Sequence, residues 1–160
     1  IQTLEGHTRG VSSVAWNSQG TKLASASDDA MIKIWDSETW KCIQTLEGHT
    51  TCVDSVAWNP QGTFLASGSN DNTIKIWDSN TWKCLHTLEG HTQGVNSVAW
   101  NLQGLLASGS MDTTIQIWDT KSWKCVHTLN EYTCVYSVAW NSQGTKLASG
   151  YFDKTTKIWN

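Results

Sequence analysis

Hydrophobic residues recur along the chain in short runs that alternate with polar residues. In the first stretch the runs VSSVAW, KLASAS, MIKIW and CIQTL are separated by the polar segments NSQG, SDDA and DSETW. Such alternation predicts β-strands, and the Asn, Asp, Ser and Gly residues between them are typical of tight turns. No helical period is present. The chain is therefore predicted to be all-β, with short antiparallel strands.

The same order of strands and turns returns at a fixed interval. One tryptophan in each unit marks the period: Trp35, Trp77, Trp118 and Trp159. These residues are 42, 41 and 41 positions apart, and units one and two are identical at 32 of 42 positions. Residues 1–160 are thus one repeat segment, made by recent amplification or by design. Its units are 1–42, 43–84, 85–125 and 126–160.

Two dipeptides accompany the period. Gly-His occurs early in the first three units and Trp-Asp late in them, at Gly6-His7, Gly48-His49, Gly90-His91, Trp35-Asp36, Trp77-Asp78 and Trp118-Asp119. With four strands in about 40–45 residues, this signature resembles the WD-repeat family of β-propellers. The resemblance covers the whole chain and implies four four-stranded antiparallel blades. Unit four departs from this signature. It has Asn130-Glu131-Tyr132 where the other units have Glu-Gly-His, and Trp159-Asn160 where they have Trp-Asp.

In the WD-repeat family, a buried histidine, serine, aspartate and tryptophan form a hydrogen-bonded tetrad. The resemblance implies a structural tetrad in each unit: His7, Ser25, Asp29 and Trp35; His49, Ser67, Asp71 and Trp77; His91, Ser108, Asp112 and Trp118; and Tyr132, Ser149, Asp153 and Trp159. Ser27 lies two residues from Ser25 and faces the same side of the strand, so either serine can join the first network.

The same residue types also allow a hydrolase with a Ser-His-Asp set. Such chemistry requires an exposed nucleophile beside an oxyanion hole, and three identical copies are a poor way to build one active centre. Hydrogen bonding of otherwise unpaired buried groups explains the pattern without catalysis. We therefore predict no enzymatic activity.

Residues that differ between units gather in two segments, around the first strand and in the turn before the third strand. In a propeller both segments emerge around the central channel, on what is called here the upper face, and in the WD-repeat family this face usually binds partners. Six of the ten differences between units one and two fall there. The predicted partner-binding residues are Arg9, Ser12, Asp28, Thr51, Cys52, Asp54, Asn70, Gln93, Asn96, Met111, Cys134, Tyr136 and Phe152. Drift at exposed loops explains the same variation, and both interpretations stay open.

Two further sets of tryptophans recur. One set ends the first strand and is expected in the core between blades: Trp16, Trp58, Trp100 and Trp140. The other follows the third strand in a turn: Trp40, Trp82 and Trp123. The second set is expected either to clamp the hairpin or to form an aromatic contact on the lower rim.

The two ends of the chain suggest how the propeller closes. Ile1 to Leu4 corresponds to the fourth strand of a blade, and Trp159 ends a third strand. The resemblance implies that strand 1–4 completes a last blade, its own or a partner's. Four blades must turn by about 90° each, whereas two chains give eight blades at about 45°. We predict a homodimeric eight-bladed ring with twofold symmetry, and a fragment of a longer propeller is the competing interpretation.

Composition narrows the function. Charged residues make up 16% of the chain and the net charge is -3, without a basic stripe, so neither nucleic acid nor a membrane is a predicted partner. Five cysteines without a C-x-x-C pair predict free thiols in a reducing, cytoplasmic compartment, with no metal and no cofactor. The predicted function is a protein-interaction and self-assembly scaffold that binds a peptide or protein segment. A purely structural repeat module without a ligand is the alternative.

Overall fold

The chain folds into fifteen β-strands. The computed structural model describes all residues from 1 to 160. The strands are β1 (Val11–Trp16), β2 (Lys22–Ser27), β3 (Ile32–Asp36), β4 (Cys42–Leu46), β5 (Val53–Trp58), β6 (Phe64–Ser69), β7 (Ile74–Asp78), β8 (Cys84–Leu88), β9 (Val95–Trp100), β10 (Leu105–Ser110), β11 (Thr114–Asp119), β12 (Lys124–Asn130), β13 (Val135–Trp140), β14 (Leu147–Tyr151) and β15 (Thr156–Trp159). No helix is long and apolar enough to cross a membrane.

The strands form four antiparallel sheets, one for each unit. Strands β1 to β4, β5 to β8 and β9 to β12 make four-stranded sheets in chain order, and β13 to β15 make a three-stranded sheet. The predicted runs VSSVAW and CIQTL coincide with β1 and β4. The prediction of an all-β fold with four blades per chain is thereby confirmed.

Each blade buries the face of its first strand against the blade before it. In the first interface, Val53, Val56 and Trp58 of blade two pack with Ala24 and Ile34 of blade one. The next two interfaces repeat this arrangement. Alternation places these residues on one side of the strand, so a single apolar face is enough to stack one blade on the next.

Hydrogen bonds join the blades as well. The indole Nε1 of Trp58 donates to the carbonyl oxygen of Ala15 at 3.1 Å, and the backbone N–H of Val56 donates to Ser13 Oγ at 3.3 Å. Blades two and three, and blades three and four, are joined in the same way. The expected core position therefore holds for the tryptophans that lie between two blades.

Two faces of the stack are uncovered. Val14 is 63% exposed, whereas its counterpart Val56 is 5% exposed, and Trp16 is exposed for the same reason. At the other end Ile158 is exposed, although its counterparts in the other blades are buried. Strand β15 pairs only with β14, and residues 1–4 lie outside the sheets. Closure within one chain is therefore not made, and closure through a partner stays a prediction.

The turn tryptophans pack within their own blade, and Trp82 and Trp123 also contact the preceding blade. Trp40, Trp82 and Trp123 have left-handed backbones, with φ between 56° and 58°, and each packs edge to face on the first-strand tryptophan of its own blade at 6.1–6.2 Å. Trp82 also carries Lys22 Nζ over its ring at 4.9 Å from the centroid. These contacts support the hairpin clamp, and the sequence did not reveal the additional contact with the preceding blade.

Candidate functional site

A buried network joins three segments of blade two. His49 lies in the loop before β5, Ser67 on β6, Asp71 in the turn after β6, and Trp77 on β7. His49 Nδ1 is 2.8 Å from Asp71 Oδ2, and His49 Nε2 is 2.7 Å from Ser67 Oγ. The indole Nε1 of Trp77 donates to Ser67 Oγ at 2.9 Å. This tetrad fixes two upper loops to the middle of the sheet.

The structure brings the same residue types together in blades one and three. The histidine-to-aspartate distances are 2.9 and 2.8 Å, the histidine-to-serine distances 2.8 and 2.7 Å, and the indole-to-serine distances 2.8 and 2.9 Å. The residues are His7, Ser25, Asp29 and Trp35, and His91, Ser108, Asp112 and Trp118. Three of the four predicted networks are therefore assembled as buried tetrads.

The second serine of each strand has a separate role. Ser27 Oγ accepts the backbone N–H of Asp29 at 3.1 Å and donates to the carbonyl oxygen of Arg9. Ser69 makes the equivalent bonds with the N–H of Asp71 and the carbonyl oxygen of Thr51, and it also donates to the carbonyl oxygen of Cys52 at 2.8 Å. Ser25 and its counterparts are thus the tetrad serines. Ser27 and its serine counterparts lie nearer the upper face, where they join the loop before the first strand to the turn after the second strand.

Burial favours the neutral form of two tetrad histidines, His49 and His91. Only 1% of the His49 side chain is exposed, and burial lowers the pKa of this histidine despite the neighbouring Asp71. Burial lowers the pKa of His91 in the same way. A neutral ring with its proton on Nδ1 donates to the aspartate and accepts the serine hydroxyl, which satisfies both nitrogen atoms.

The aspartates stay charged. Burial alone would raise the pKa of Asp71, but hydrogen bonds from Thr73, His49 and the backbone of Thr50 lower it to about 2. A carboxylate that accepts several N–H and O–H groups is stabilised in its charged form. The charged carboxylate of Asp71 therefore holds the loop before β5 against the turn after β6.

This geometry leaves the serine no route to a substrate. Ser67 and Ser108 are completely buried, and each Oγ contacts both an indole and an imidazole. A nucleophile needs an accessible oxygen with oxyanion donors beside it. The arrangement can hold loops in place, and it cannot attack a carbonyl without first unfolding.

Blade four corrects one prediction. Tyr132 does not take the place of the histidine, because its side chain is fully exposed to solvent. Instead Ser149 Oγ donates to the hydroxyl of Tyr151 at 2.7 Å, and Trp159 Nε1 donates to Ser149 at 2.8 Å. Asp153 is exposed and accepts only from Thr155. Tyr151 stands where the other units have the second serine, so its ring reaches back along the strand into the space of the imidazole.

A lysine supports the altered blade. Lys157 Nζ binds Glu131 and lies 5.4 Å from the centroid of the Tyr151 ring. Burial raises the pKa of the Tyr151 hydroxyl, which therefore stays protonated. Tyr151 is the functional residue that sequence reasoning missed. The signal for it was the replacement of Ser-x-Ser by Ser-x-Tyr in the unit that lacks the histidine.

Backbone hydrogen bonds bring the two variable segments of each blade together. Residues 28 and 10, 70 and 52, 111 and 94, and 152 and 134 are joined by N–H to carbonyl bonds of 2.9–3.1 Å. Contacts also cross between blades, where Cys52 Sγ donates to the carbonyl oxygen of Asp28 and Asn96 donates to that of Val135 at 2.8 Å. The upper face is thus a continuous surface, and none of the thirteen residues predicted for binding is fully buried.

The upper face differs in chemistry from one end to the other. In blades one and two, Asp54 Oδ2 is buried without a hydrogen-bond partner, and burial followed by the charge of Asp28 raises the pKa of this carboxyl. In blade four, Tyr136 and Phe152 pack edge to face at 5.9 Å and both are exposed. An acidic region and an aromatic region therefore lie on the same face. A groove of about 460 Å³ also opens between blades one and two, beside Arg9, Asp28 and Thr51.

Four consecutive antiparallel blades, tied by repeated histidine tetrads, define the chain as part of a β-propeller. The family model described as "WD domain, G-beta repeat" matches residues 1–36, 40–78, 82–119 and 123–160. The chain therefore belongs to the WD-repeat family. Proteins of this family act as protein-interaction scaffolds and are generally non-catalytic.

Curated relatives match over single repeats. The chain is 58% identical over 36 residues to "Vegetative incompatibility protein HET-E-1" of Podospora anserina, which is 22% of this chain and 3% of that protein. It is 59% identical over 34 residues to "THO complex subunit 3" of Arabidopsis thaliana, or 21% of this chain and 11% of that protein. It is 40% identical over 43 residues to "Pre-mRNA-processing factor 17" of Homo sapiens, which is 27% of this chain and 7% of that protein. The matched segments thus span a small part of each relative.

A solved structure has the same fold. The chain described as "Structure of U3-55K" superposes with a TM-score of 0.94 at 24% sequence identity. The superposition covers 99% of this chain and 51% of that chain. At this level of identity the likeness shows the fold alone.

We predict that Tyr151→Phe destabilises the protein and that Tyr132→Phe does not. The first change leaves buried Ser149 without its acceptor, at a cost of about 1 kcal/mol in the free energy of unfolding. The second removes a hydroxyl that is already in solvent. Urea unfolding of both variants measures the difference, and equal effects would show that Tyr151 has no special part in blade four.

We also predict that stability falls when the pH is lowered through the histidine range. The folded-state pKa values of His49 and His91 lie below the unfolded value of about 6.5, so the unfolded state binds more protons there. Their contribution is complete above about pH 6.5 and is lost as the pH falls below it. Asp71, with its lowered pKa, adds a second loss between its ordinary value and about 2. Thermal unfolding measured against pH should show both phases, and His49→Gln should make the first phase shallower.

Proposed function

We propose that the chain is an interaction scaffold that pairs with a second copy of itself and binds a protein segment on its upper face. The two parts of the proposal rest on different observations and are tested separately. The five free cysteines are consistent with the reducing, cytoplasmic setting that this proposal includes. A structural module without a ligand is the second candidate, favoured by the near-identity of the units.

Self-pairing is supported by the two uncovered faces. Val11, Val14 and Trp16 are between 48% and 63% exposed on one face, and the same positions in the next blade are buried. Burying a valine or a larger apolar side chain stabilises by about 1.5–3 kcal/mol each. Ile158 and Ala139 lie exposed at the opposite end of the stack. One copy therefore presents the apolar face that the other copy needs.

Polar groups at the two ends are complementary as well. In every interface within the chain, a tryptophan Nε1 donates to an alanine carbonyl of the preceding blade. By the same geometry, Trp16 donates to Ala139 of the second copy. In the proposed pair, the backbone N–H of Val14 donates to Ser137 Oγ of the second copy, and Lys146 of that copy lies over the ring of Trp40, in the way that Lys22 lies over the ring of Trp82 within one copy.

The rotation from each blade to the next supports a ring of more than four blades. The four blades superpose on half of a chain about twice as long, with a TM-score of 0.94. A head-to-tail contact that is made twice closes under twofold symmetry. Residues 1–4 of each copy then pair with the free edge of β15 in the other copy, which protects an edge that would otherwise invite aggregation.

We predict that the protein is a dimer in solution and that Val14→Asp converts it to a monomer. The dimer mass is twice the 17.7 kDa of one chain. The variant places a charge in the proposed interface, but Val14 is exposed in a single copy, so each copy still folds. Val126→Asp is the matched control, because the exposed Val126 lies on the outer strand β12 and keeps the dimer. Light scattering measures the mass, and a wild-type monomer at micromolar concentration contradicts the pairing.

Binding at the upper face is supported by the unpartnered Asp54. One oxygen of the Asp54 carboxyl is buried without a donor, but the residue as a whole is only partly buried, so the rest of the group stays open to a ligand. A basic side chain pairs with this carboxyl, and the acidic neighbour Asp28 adds to the attraction. The exposed pair Tyr136 and Phe152 provides an apolar contact. The fitting partner is a peptide or extended loop with a basic residue and an apolar residue.

We predict that peptides selected on the wild-type protein from a random library are enriched in Arg or Lys together with an aromatic or aliphatic residue. The double variant Asp54→Asn and Tyr136→Ala should bind the selected peptides at least about tenfold more weakly. Glu38→Gln, in an exposed turn of blade one outside the upper face, is the control and should change nothing. Fluorescence anisotropy measures the affinities. Enrichment of unrelated sequences, or equal affinity for the double variant, favours the ligand-free module instead.

A further inference from the structure

An apolar cavity of about 340 Å³ opens between blades three and four, away from the upper face. Its walls include Leu105, Ile117, His127, Leu129, Trp140 and Trp159. The volume falls at the lower end of the range of about 300–1,000 Å³ that is typical of ligand pockets. Trp159 is the one wall that also belongs to a blade network, and none of the walls belongs to the predicted binding residues of the upper face.

The equivalent place between blades two and three is filled by a side chain of this protein. Trp123 occupies it, with Phe64 edge to face at 5.9 Å and His86 stacked at 4.9 Å between ring centroids. Trp100 forms the third wall at 6.1 Å. Between blades one and two, Trp82 sits in the same way beside Lys22 and Trp58.

The walls of the open cavity are the counterparts of these contacts. Leu105, His127 and Trp140 occupy the unit positions of Phe64, His86 and Trp100. His127 is exposed, whereas its counterpart His86 is partly covered by an indole ring. The chain thus repeats this site at each of its three interfaces, with the first-strand tryptophan as one wall, and fills two of the three with its own turn tryptophans.

We propose that this cavity binds the indole of a tryptophan carried on a strand that pairs with the free edge of β15. In blade two the tryptophan precedes Cys84 by two residues, and β8 continues along β7 with His86 opposite Ile76. The incoming segment therefore has the pattern Trp-x-x followed by alternating apolar and polar residues. Its main chain pairs with β15, as in other cases of strand addition, and its indole supplies the specificity.

The site shares the β15 edge with the proposed paired ring, but it does not rest on that ring. Residues 1–4 contain no aromatic side chain, so pairing through these four residues alone does not fill the cavity. A tryptophan-bearing strand fills both the edge and the cavity. It should therefore compete with residues 1–4 of the second copy, and a free indole should not.

The test uses a fluorescein-labelled peptide with the sequence of residues 37–46, in which serine replaces the cysteine. Anisotropy titration with the full chain should show saturable binding. The same peptide with Trp40→Ala should bind at least about tenfold more weakly, because the aromatic anchor is lost. Equal affinity of the two peptides, or no saturable binding of the first, overturns the proposal.

Paired variants of the protein locate the binding. His127→Ala should weaken binding by about two- to tenfold, because the ring that stacks on the indole is lost. His86→Ala is the matched control, since the site beside it already contains Trp123, and it should leave the affinity unchanged. Leu105→Phe copies blade two and should retain or tighten binding. Equal effects of the two histidine variants would place the peptide elsewhere and refute the site.

Light scattering on the same samples separates this proposal from the paired ring. If the protein is a dimer and the peptide fails to bind at any concentration, only the indole site is wrong. If the protein is a monomer and the peptide binds with the predicted dependence on His127, only the ring is wrong.

Discussion

The packing of one blade face on the next is the interaction on which the whole structure depends. A single small sheet is at best marginally stable in water, and each blade here has an apolar face that only a neighbour can cover. Val53 and Val56 are buried because Ala24 and Ile34 lie opposite them. The indole bonds between blades add direction to this packing. Stacking therefore sets both the order of the blades and the chemistry of the two uncovered faces.

The tetrads fix the loops of the upper face to the stacked blades. Asp71 accepts from His49, from Thr73 and from the backbone of Thr50, so one carboxylate holds two loops of the upper face. Because the network is buried and satisfied, the residues around it are free to change without loss of the fold. Thr51 and Asn70 lie beside this network, and both differ from their counterparts in unit one. The invariant residues of a unit serve the blade, and its variable residues determine the surface.

The sequence predicted those features that depend on contacts repeated at one spacing. The bounds of β1, β2 and β4 followed from alternation, and the three complete tetrads followed from the resemblance to the WD-repeat family, applied at matching positions in each unit. Tyr151 was missed because it takes the place of the histidine as the hydrogen-bond partner of Ser149 from a different position in the unit, two residues after Ser149 on the same strand. A comparison of equivalent positions between units does not detect such a replacement. The bridging contact of Trp82 was missed because it depends on the rotation between blades. The exposure of Trp16 likewise depends on which neighbour is present.

Blade four combines an altered network with an open edge. In the other blades a histidine is buried within the network, where salt has little access. In blade four the half-exposed Lys157 holds Glu131 and covers Tyr151, so part of the support is an ion pair near solvent. Such a pair contributes less and is screened by salt. Blade four, which ends in the free β15 edge, therefore also has the least firmly held loops. A strand added at that edge would stabilise the least stable of the four blades.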